Sequence, residues 1–384
     1  MSLYLDYNAS TPIDESVLEL MVDVYKNRYG NADSRTHYYG SEAKGIVEKA
    51  REQVAGLLNI YKNEVIFTSG STESNNIAIL GLREEGIKKN KLHIITTAIE
   101  HKSVLEPMKK LSGEGFEIEK VYPRENGRID VKDIIDKIRE DTLLVSVMHV
   151  NNETGTIQPV EELGEYLDNT EVIFHIDASQ SCGKLVKELQ HIQYDLLSIS
   201  AHKMYGPQGV GALILRSKSK KKVQLKPIMY GGGQENNLRP GTLPVALIAG
   251  LGLACEKSLK NYECNNEILK INQKRLLEMI ENSGVKYNIN GDLKYSMGNT
   301  LNISFNNIDS EAFMLFSKSS IGVSNGSACT SKYQYEPSYV LQAMGLSSDL
   351  IEEAIRISWG KDIIDFSEFE NILDWIKEEQ SEGK

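Results

Sequence analysis

The chain has 384 residues, of which 40% are hydrophobic and 25% are charged, and its formal net charge is −11 at pH 7. This composition is typical of a globular protein of two or three domains and argues against a disordered chain. The acidic balance argues against a direct nucleic-acid partner or an anionic-membrane surface. No stretch approaches 18 consecutive apolar residues, so we expect no membrane span.

Six short apolar runs rich in Val and Ile alternate with helix-like stretches between about residues 40 and 260. Continuous apolar runs of this kind are typical of strands buried on both faces. The predicted strands are 64–68, 92–96, 143–148, 172–176, 195–199 and 210–215, and the predicted helices are 41–58, 74–89, 103–113 and 131–139. The alternation predicts an α/β fold with a mostly parallel sheet and crossover helices.

The pattern changes after about residue 258. A long polar amphipathic helix over 265–283 precedes short strands at 300–305, 322–324 and 355–358, with a helix at 310–317. This pattern predicts a second, smaller α+β domain. We therefore divide the chain into a large domain, residues 14–258, and a small domain made of residues 1–13 and 259–384.

The four cysteines are scattered: Cys182, Cys255, Cys264 and Cys329. None has the spacing of a zinc site, so we expect no metal. Sparse cysteines and the lack of a signal-like N-terminus predict a reduced, cytoplasmic protein. Cys255 lies on an apolar helical pattern and should be in the core. Cys329 lies in a small polar stretch that opens a predicted mobile loop at about 323–337, where an accessible thiol can be nucleophilic.

Polar residues follow five of the predicted strands. The carboxyl ends of parallel strands meet at one edge of a sheet, where ligands bind in α/β proteins. The sequence therefore predicts one site at that edge. The segments that would build it are 68–74, 100–101, 149–154, 177–180 and 200–203.

The first of these segments is typical of a phosphate cradle. Small residues precede a helix, whose free N–H groups and dipole favour an anion, and Ser71 and Thr72 add hydroxyl donors. The alternative is an ordinary capping box with Ser71 as the cap.

Two charged residues that follow buried strands suggest the cofactor. A desolvated lysine such as Lys203 can form a Schiff base, and a buried carboxylate such as Asp177 needs a cationic partner. With the phosphate cradle, they are the groups that a pyridoxal phosphate site requires. The alternative is a structural ion pair between the two.

The remaining candidates each have two interpretations. His101 can stack on a cofactor ring or cap a helix, and His202 can donate to a phosphate or be a core residue. Asn152 and Gln180 can bond a ring oxygen or cap loops. Arg356, in an apolar strand, can bind an α-carboxylate or form a structural ion pair.

Taken together, these motifs resemble the cysteine desulfurases, pyridoxal phosphate enzymes of aminotransferase class V, over nearly the whole chain. The resemblance implies a PLP fold type I architecture, with a large cofactor domain and a smaller α+β domain. Ala201 and Pro240 replace the usual Gly and Ser of two motifs and leave the chemical groups in place. The matching segments are 5–12, 67–75, 100–101, 150–155, 175–180, 200–207, 231–235, 239–242, 326–330 and 355–358.

The resemblance implies a role for each cofactor residue. Lys203 would hold the cofactor as a Schiff base, Asp177 would pair with the pyridine nitrogen, and His101 would stack on the ring and transfer protons. Asn152 and Gln180 would orient the ring. The phosphate would be held by Ser71, Thr72, Ser200, His202 and, from a neighbouring subunit, Thr242, which implies a homodimer.

The resemblance also implies the reaction. Arg356, with Asn152, would bind the substrate L-cysteine, and Cys329 would accept its sulfur as a persulfide while alanine is released. The persulfide would pass to a sulfur-acceptor protein for iron–sulfur cluster assembly or tRNA thiolation. Two alternatives stay open, namely a selenocysteine lyase or other class V lyase, and a non-catalytic dimeric scaffold.

Overall fold

The computed structural model describes residues 2–217, 221, 223–325 and 337–382. Its strands are β1 (Leu3–Tyr4), β2 (Val65–Thr68), β3 (His93–Thr97), β4 (Glu117–Val121), β5 (Thr142–Met148), β6 (Ile173–Asp177), β7 (Leu196–Ser200), β8 (Gly211–Leu215), β9 (Tyr287–Ile289), β10 (Thr300–Phe305), β11 (Ile321–Gly322) and β12 (Ala354–Ser358). Its helices are α1 (Glu15–Asn27), α2 (Tyr38–Leu58), α3 (Ser71–Leu80), α4 (Arg83–Lys89), α5 (Lys102–Ser112), α6 (Val131–Ile135), α7 (Val160–Leu167), α8 (Val186–His191), α9 (Val245–Ser283), α10 (Ser310–Ser317), α11 (Tyr339–Ala343), α12 (Ser348–Glu352) and α13 (Ser367–Glu382).

A seven-stranded sheet in the order β2-β8-β7-β6-β5-β3-β4 forms the centre of the larger part. Strands β4, β3, β5, β6 and β7 are parallel to one another, and β8 is antiparallel to both of its neighbours, β2 and β7. Every residue of β5 and of β6 is buried, because helices cover both faces. The predicted mostly parallel α/β sheet is confirmed.

Strand β4 was absent from the predicted strands. Its sequence, Glu-Ile-Glu-Lys-Val, has no continuous apolar run, and four of its five residues are at least partly exposed at the sheet edge. The prediction relied on the apolar signature of strands buried on both faces, which an edge strand does not need.

The predicted helix over 74–89 is two helices in the structure. Helix α3 ends at Leu80, and α4 begins at Arg83. The main-chain N–H of Lys226 donates to the carbonyl oxygen of Gly81 at 2.9 Å, so a second chain segment packs against the break. A Cβ on Gly81 would lie 3.0 Å from the Lys226 oxygen. The predicted helix 131–139 is likewise shorter, since α6 ends at Ile135.

Helix α9 is 39 residues long and passes through position 258. The buried residues in its first half pack on α1 and α2, and its second half is more polar. Sequence patterning detected only the second half, 265–283. The division into two domains at 258 stays a prediction, and one continuous helix crosses it.

A second core lies beyond this helix. Strands β12, β10 and β9 form an antiparallel sheet, and its core includes Phe305 and Phe313, whose rings stack at 6.0 Å. Strand β1 pairs with β11, and Asp6 bridges to Ser358, so the N-terminal residues lie with the C-terminal part of the chain. In the ranges given above, no helix is long and apolar enough to cross a membrane.

Candidate active site

A cavity of about 370 Å³ lies at the carboxyl ends of β5, β6 and β7, where the sequence predicted a site. It brings together most of the predicted site residues. It is lined by Asn8, Ala9, Ser71, Thr72, His101, Met148, Val150, Asn152, Asp177, Ser179, Gln180, His202, Lys203 and Arg356. Asn8, Ala9 and Ser179 had no predicted role, although Asn8 and Ala9 belong to the N-terminal motif 5–12.

One wall of the cavity is the start of α3. Gly70 is the N-cap, so Ser71 and Thr72 open the helix, and the interpretation of Ser71 as the cap is wrong. The first N–H groups of a helix have no partner within it and can bind an anion. A Cβ on Gly211 would lie 2.7 Å from the Cα of Gly70, so glycine at 211 lets β8 approach this turn. Ser200 Oγ lies beside the same turn, 3.6 Å from the position of a Cβ on Gly70.

The carboxylate of Asp177 is held in one orientation. Its Oδ2 accepts a hydrogen bond from Asn75 Nδ2 at 2.8 Å, and its Oδ1 accepts from the Ser179 amide at 2.9 Å and from the Ser179 hydroxyl. Asp177 is 5% exposed. A buried, oriented carboxylate of this kind suits a pyridinium nitrogen. Asn75 was missed as a site residue, although it lies in the motif 67–75.

Lys203 lies in the turn after β7 and reaches the N-terminal segment. Its ammonium donates to the main-chain oxygens of Asn8 and, at 2.8 Å, of Ala9. The N-terminal segment thus closes the cavity beside the amine that is expected to bind the cofactor.

His101 fits both of its interpretations. It is the N-cap of α5, with Nδ1 accepting from the Ser103 amide at 3.1 Å, and its ring lines the cavity. His202 also lines the cavity, and its pKa falls to about 4 because of burial and the nearby charges of Lys203 and Lys184. His202 is therefore neutral at pH 7, and a neutral imidazole can still donate one hydrogen bond.

Three residues of the cavity wall carry buried polar atoms with no hydrogen-bond partner in the described part of the chain. These atoms are Asn152 Oδ1, Gln180 Oε1 and Arg356 Nε. Buried polar atoms nearly always have partners, so the three point to a ligand that completes them. Together with the anion-binding helix start and the fixed carboxylate, they fit pyridoxal phosphate and an amino-acid carboxylate.

Arg356 on β12 is buried and ion-paired. Its Nη2 donates to Asp6 Oδ1 at 2.5 Å, and its Nη1 donates to the Asn152 main-chain oxygen at 3.1 Å. The structural pair considered as the alternative therefore exists. The cavity-lining position and the unpartnered Nε leave a donor for a substrate carboxylate.

Two buried glutamates lie next to predicted site residues. Burial raises the pKa of Glu100 to about 8 and the pKa of Glu153 to about 7. Glu100 Oε1 accepts from the Met148 amide at 2.8 Å, and Glu153 accepts from the Ser338 hydroxyl. The Tyr339 hydroxyl donates to the Glu100 main-chain oxygen at 2.7 Å. No sequence pattern predicted that either glutamate would contact the residues that begin at 337.

Two predicted residues that the structure describes, Ser200 and Thr242, do not line the cavity. Thr242 is exposed and does not line it, so its predicted role in a neighbouring subunit stays a prediction. Cys329 lies in the segment 326–336, which is outside the described residues. Before this segment, Ser324 pairs with Arg356 of β12, and after it, Ser338 is hydrogen-bonded to Glu153. Both described ends thus adjoin residues of the site.

The other cysteines have structural surroundings. Cys255 is buried, as predicted, and Cys182 is buried as well, whereas Cys264 is exposed. Burial raises the pKa of Cys182 to about 12, which makes it a poor nucleophile. In the described ranges, no cluster of residues could hold a metal ion.

Known proteins resemble this chain over nearly its whole length. The family model for aminotransferase class V matches residues 3–362. The mitochondrial cysteine desulfurase of Drosophila melanogaster is 45% identical over 360 residues, which cover 94% of this chain and 77% of that protein. A solved NifS-like protein has a TM-score of 0.89 and 38% identity, and the match covers 99% of this chain and all of that one.

A second solved structure, SspA in complex with cysteine, has a TM-score of 0.79 and 33% identity, covering 94% of this chain and all of that one. These likenesses agree with the mostly parallel α/β fold described above. The chain belongs to the aminotransferase class V family.

Proposed function

We propose that this protein is a pyridoxal phosphate-dependent cysteine desulfurase. The observation that carries the proposal is the meeting of Lys203, the fixed carboxylate of Asp177 and the guanidinium of Arg356 in one cavity. A Schiff-base lysine, a partner for the pyridinium and a carboxylate-binding fork are what such an enzyme needs to hold an amino acid on its cofactor. The related cysteine desulfurase and the neighbour bound to cysteine support L-cysteine as the substrate.

The cofactor would contact several elements. Ser71, Thr72, Ser200 and His202 would hold its phosphate, and Asp177 its pyridine nitrogen. The polar atoms of Asn152 and Gln180 that lack partners would bond its ring, and His101 would stack on it. When bound, the cofactor withdraws electrons from the substrate α-carbon.

The chain's own residues would then do the following. The Arg356 guanidinium binds the substrate carboxylate through Nε and a second N–H group. Asn152 lies beside this guanidinium. Lys203 would be the base that takes the proton from the substrate α-carbon. His101 exchanges protons with the reacting group. Its Nδ1 caps α5, so proton transfer falls to Nε2.

Cys329 would supply the nucleophile. Its thiolate attacks the substrate sulfur, an S–S bond forms, and the Cβ–S bond breaks with its electron pair staying on carbon. That carbon takes up the proton released by the Cys329 thiol, the α-carbon regains the proton held by Lys203, and alanine leaves. The thiol proton and the substrate thiol account for all the atoms, so no external oxidant is required. A free thiol is only a few per cent thiolate at pH 7, so a proton acceptor such as His101 would activate it.

The assembly and location follow from the same residues. Thr242 is exposed and does not line its own cavity, which supports a homodimer in which it reaches the neighbouring phosphate. The persulfide would pass to a sulfur-acceptor protein, for cluster assembly or tRNA thiolation. Because the reaction needs a free thiol, we place the protein in the reducing cytoplasm.

The test is alanine release by the pyridoxal phosphate-loaded protein, with L-cysteine and with selenocysteine. We expect alanine from L-cysteine in the wild type and none with C329A, which should keep its bound cofactor. Alanine release from selenocysteine but not from L-cysteine would indicate a selenocysteine lyase. A colourless protein that binds no pyridoxal phosphate would indicate a scaffold, and alanine release by C329A would refute the nucleophile.

A further inference from the structure

A second lysine, Lys184, contacts the main chain of the proposed Schiff-base residue, Lys203. The ammonium of Lys184 donates to the main-chain oxygen of Gln180 at 2.9 Å and to that of Lys203 at 3.0 Å. Gln180 lies just beyond β6, and Lys203 lies just beyond β7. These two strands are parallel neighbours in the sheet. One side chain therefore connects the turn that carries Asp177 and Gln180 to the turn that carries Lys203.

The surroundings of Lys184 show that it is not an ordinary surface charge. It is partly buried, and no carboxylate of the described residues lies within ion-pair distance of it. Burial and the nearby charge of Lys203 lower its pKa to about 8, so it is still mostly protonated at pH 7. Asn266 of α9 donates to its main-chain oxygen at 2.8 Å and fixes the backbone from the other side.

The cavity next to Lys184 does not explain its charge. It holds about 20 Å³, enough for one water molecule, and four of its lining residues, Ser258, Asn265, Asn266 and Leu269, belong to α9. A buried cation without a counter-ion is costly unless hydrogen bonds satisfy it. The two carbonyl oxygens satisfy it here, and both belong to the site.

We propose that Lys184 is a positioning residue that fixes the spacing between the Asp177 turn and the Lys203 turn and places a positive charge at the main chain of Lys203. This inference rests on the proposed function, since it makes Lys203 the cofactor-binding amine. A fixed positive charge disfavours the protonated form of a neighbouring nitrogen, so Lys184 promotes the neutral amine that forms a Schiff base.

Other charged or titratable groups also face Lys203 and must be considered. His202 is the adjacent residue, and its pKa of about 4 keeps it neutral at pH 7. Asp177, His101 and Arg356 line the same cavity from β6, the start of α5 and β12. Asp177 opposes the effect of Lys184 and Arg356 adds to it, so the variants below change only the Lys184 contribution.

The test is a pH titration of the absorbance of the pyridoxal phosphate-loaded protein. K184Q keeps a donor but loses the charge, and we expect its titration midpoint to rise by about one pH unit. K184M loses the donor as well, and we expect at least tenfold weaker cofactor binding in addition. K184R keeps charge and donors and should restore the wild-type midpoint. Lys187, an exposed lysine paired with Glu263, provides the matched control K187Q, which should change neither quantity.

An unchanged midpoint in both K184Q and K184M overturns the electrostatic role, and unchanged cofactor affinity in K184M overturns the positioning role. Thermal unfolding of each variant shows whether it folds. If K184M fails to fold, the comparison of K184Q with K184R decides the electrostatic role alone. Failure of the proposed function is recognised separately, because the wild type would then show no pH-dependent cofactor absorbance. In that case, the pH dependence of Lys203 acetylation in the cofactor-free protein, read by mass spectrometry, still tests the effect of Lys184 on Lys203. An equal midpoint of acetylation in wild type and K184Q contradicts it.

Discussion

Asp6 and Arg356 are 350 residues apart in sequence and form an ion pair of 2.5 Å at the wall of the cavity. The Arg356 side chain is 4% exposed and that of Asp6 is 17% exposed. Asp6 accepts a hydrogen bond from one nitrogen of the Arg356 guanidinium, and the main-chain oxygen of Asn152 accepts one from another. The orientation of the guanidinium is therefore set before substrate binds. Its Nε lacks a partner in the described part of the chain and is left as a donor for a carboxylate.

We therefore expect D6N to weaken the binding of L-cysteine. The amide can still accept a hydrogen bond but no longer holds the guanidinium by charge, so KM should rise at least tenfold, which corresponds to about 1.4 kcal/mol. The kcat should change much less, because Asp6 does not touch the reacting atoms. Steady-state kinetics of alanine formation measures both. The matched control is D141N, which removes a surface ion pair with Arg139 and should leave KM unchanged. An equal KM for D6N and the wild type would contradict the role given to Asp6.

Sequence patterns predicted the parts of the site that follow strands. Lys203, Asp177 and His101 each come directly after a buried apolar run, and parallel pairing of such runs brings their ends together. Asp6 and Lys184 were not recognised, because their roles depend on contacts with chain segments that no local pattern identifies. Lys184 contacts the carbonyl of Lys203 only because β6 and β7 are neighbours, and that order is a property of the folded sheet.

Among the strands and helices too, local patterns predicted some elements and missed others. Strand β5 was predicted from its continuous apolar run, whereas β4 lacks one and was missed. Helix α9 was predicted over its amphipathic second half only. Its first half is buried against α1 and α2 and is apolar on more than one face, so amphipathic periodicity does not detect it.

Stability should fall as pH rises from about 6.5 to 8. Glu100 and Glu153 have pKa values raised by burial to about 8 and about 7, so the folded protein keeps protons that the unfolded chain has released, and its free energy of unfolding decreases with pH. Burial lowers the pKa of His149, His175 and His202 to about 4, which acts in the opposite direction but only below about 6.5.

The substitution E100Q isolates this effect. Gln can keep the bonds from the Met148 amide and the Thr97 hydroxyl without titrating. We expect it to reduce the loss of stability between pH 6.5 and 8 by about 1–2 kcal/mol. Urea unfolding at several pH values measures the slope, with E161Q on the exposed part of α7 as the control. Parallel curves for the wild type and E100Q would show that Glu100 does not titrate in this range.

Loss of Asn75 should weaken cofactor binding. N75A removes the 2.8 Å bond to Asp177 Oδ2, so the carboxylate is no longer fixed on that side, and we expect about tenfold lower affinity for pyridoxal phosphate. The next residue offers the control: Asn76 is partly exposed, its side-chain amide donates to the Thr72 main-chain oxygen, and N76A should bind normally. Equilibrium titration of the cofactor-free protein gives both affinities. Equal losses in the two variants would mean that the effect comes from α3 and not from Asp177.

The crossing of α2 and α9 should not tolerate a methyl group. In G252A the added Cβ would lie 2.6 Å from the Cα of Ala50, so the helices must separate, and we expect a loss of about 1–3 kcal/mol. Gly45 is exposed on α2 with nothing within 4 Å of an added Cβ. G45A should therefore stabilise the protein by about 0.5–1 kcal/mol through helix propensity. Thermal unfolding compares the two, and destabilisation by G45A or tolerance of G252A would contradict the packing described.

If the proposed function is right, this site moves the sulfur of L-cysteine onto Cys329. The most direct measurement is peptide mass spectrometry of the pyridoxal phosphate-loaded protein after brief incubation with L-cysteine and alkylation. We expect one additional sulfur on the peptide that contains Cys329 and none on those with Cys182, Cys255 or Cys264. We also expect that the K203A variant shows no added sulfur. A persulfide on another cysteine, or none on Cys329 while alanine accumulates, would refute Cys329 as the sulfur acceptor.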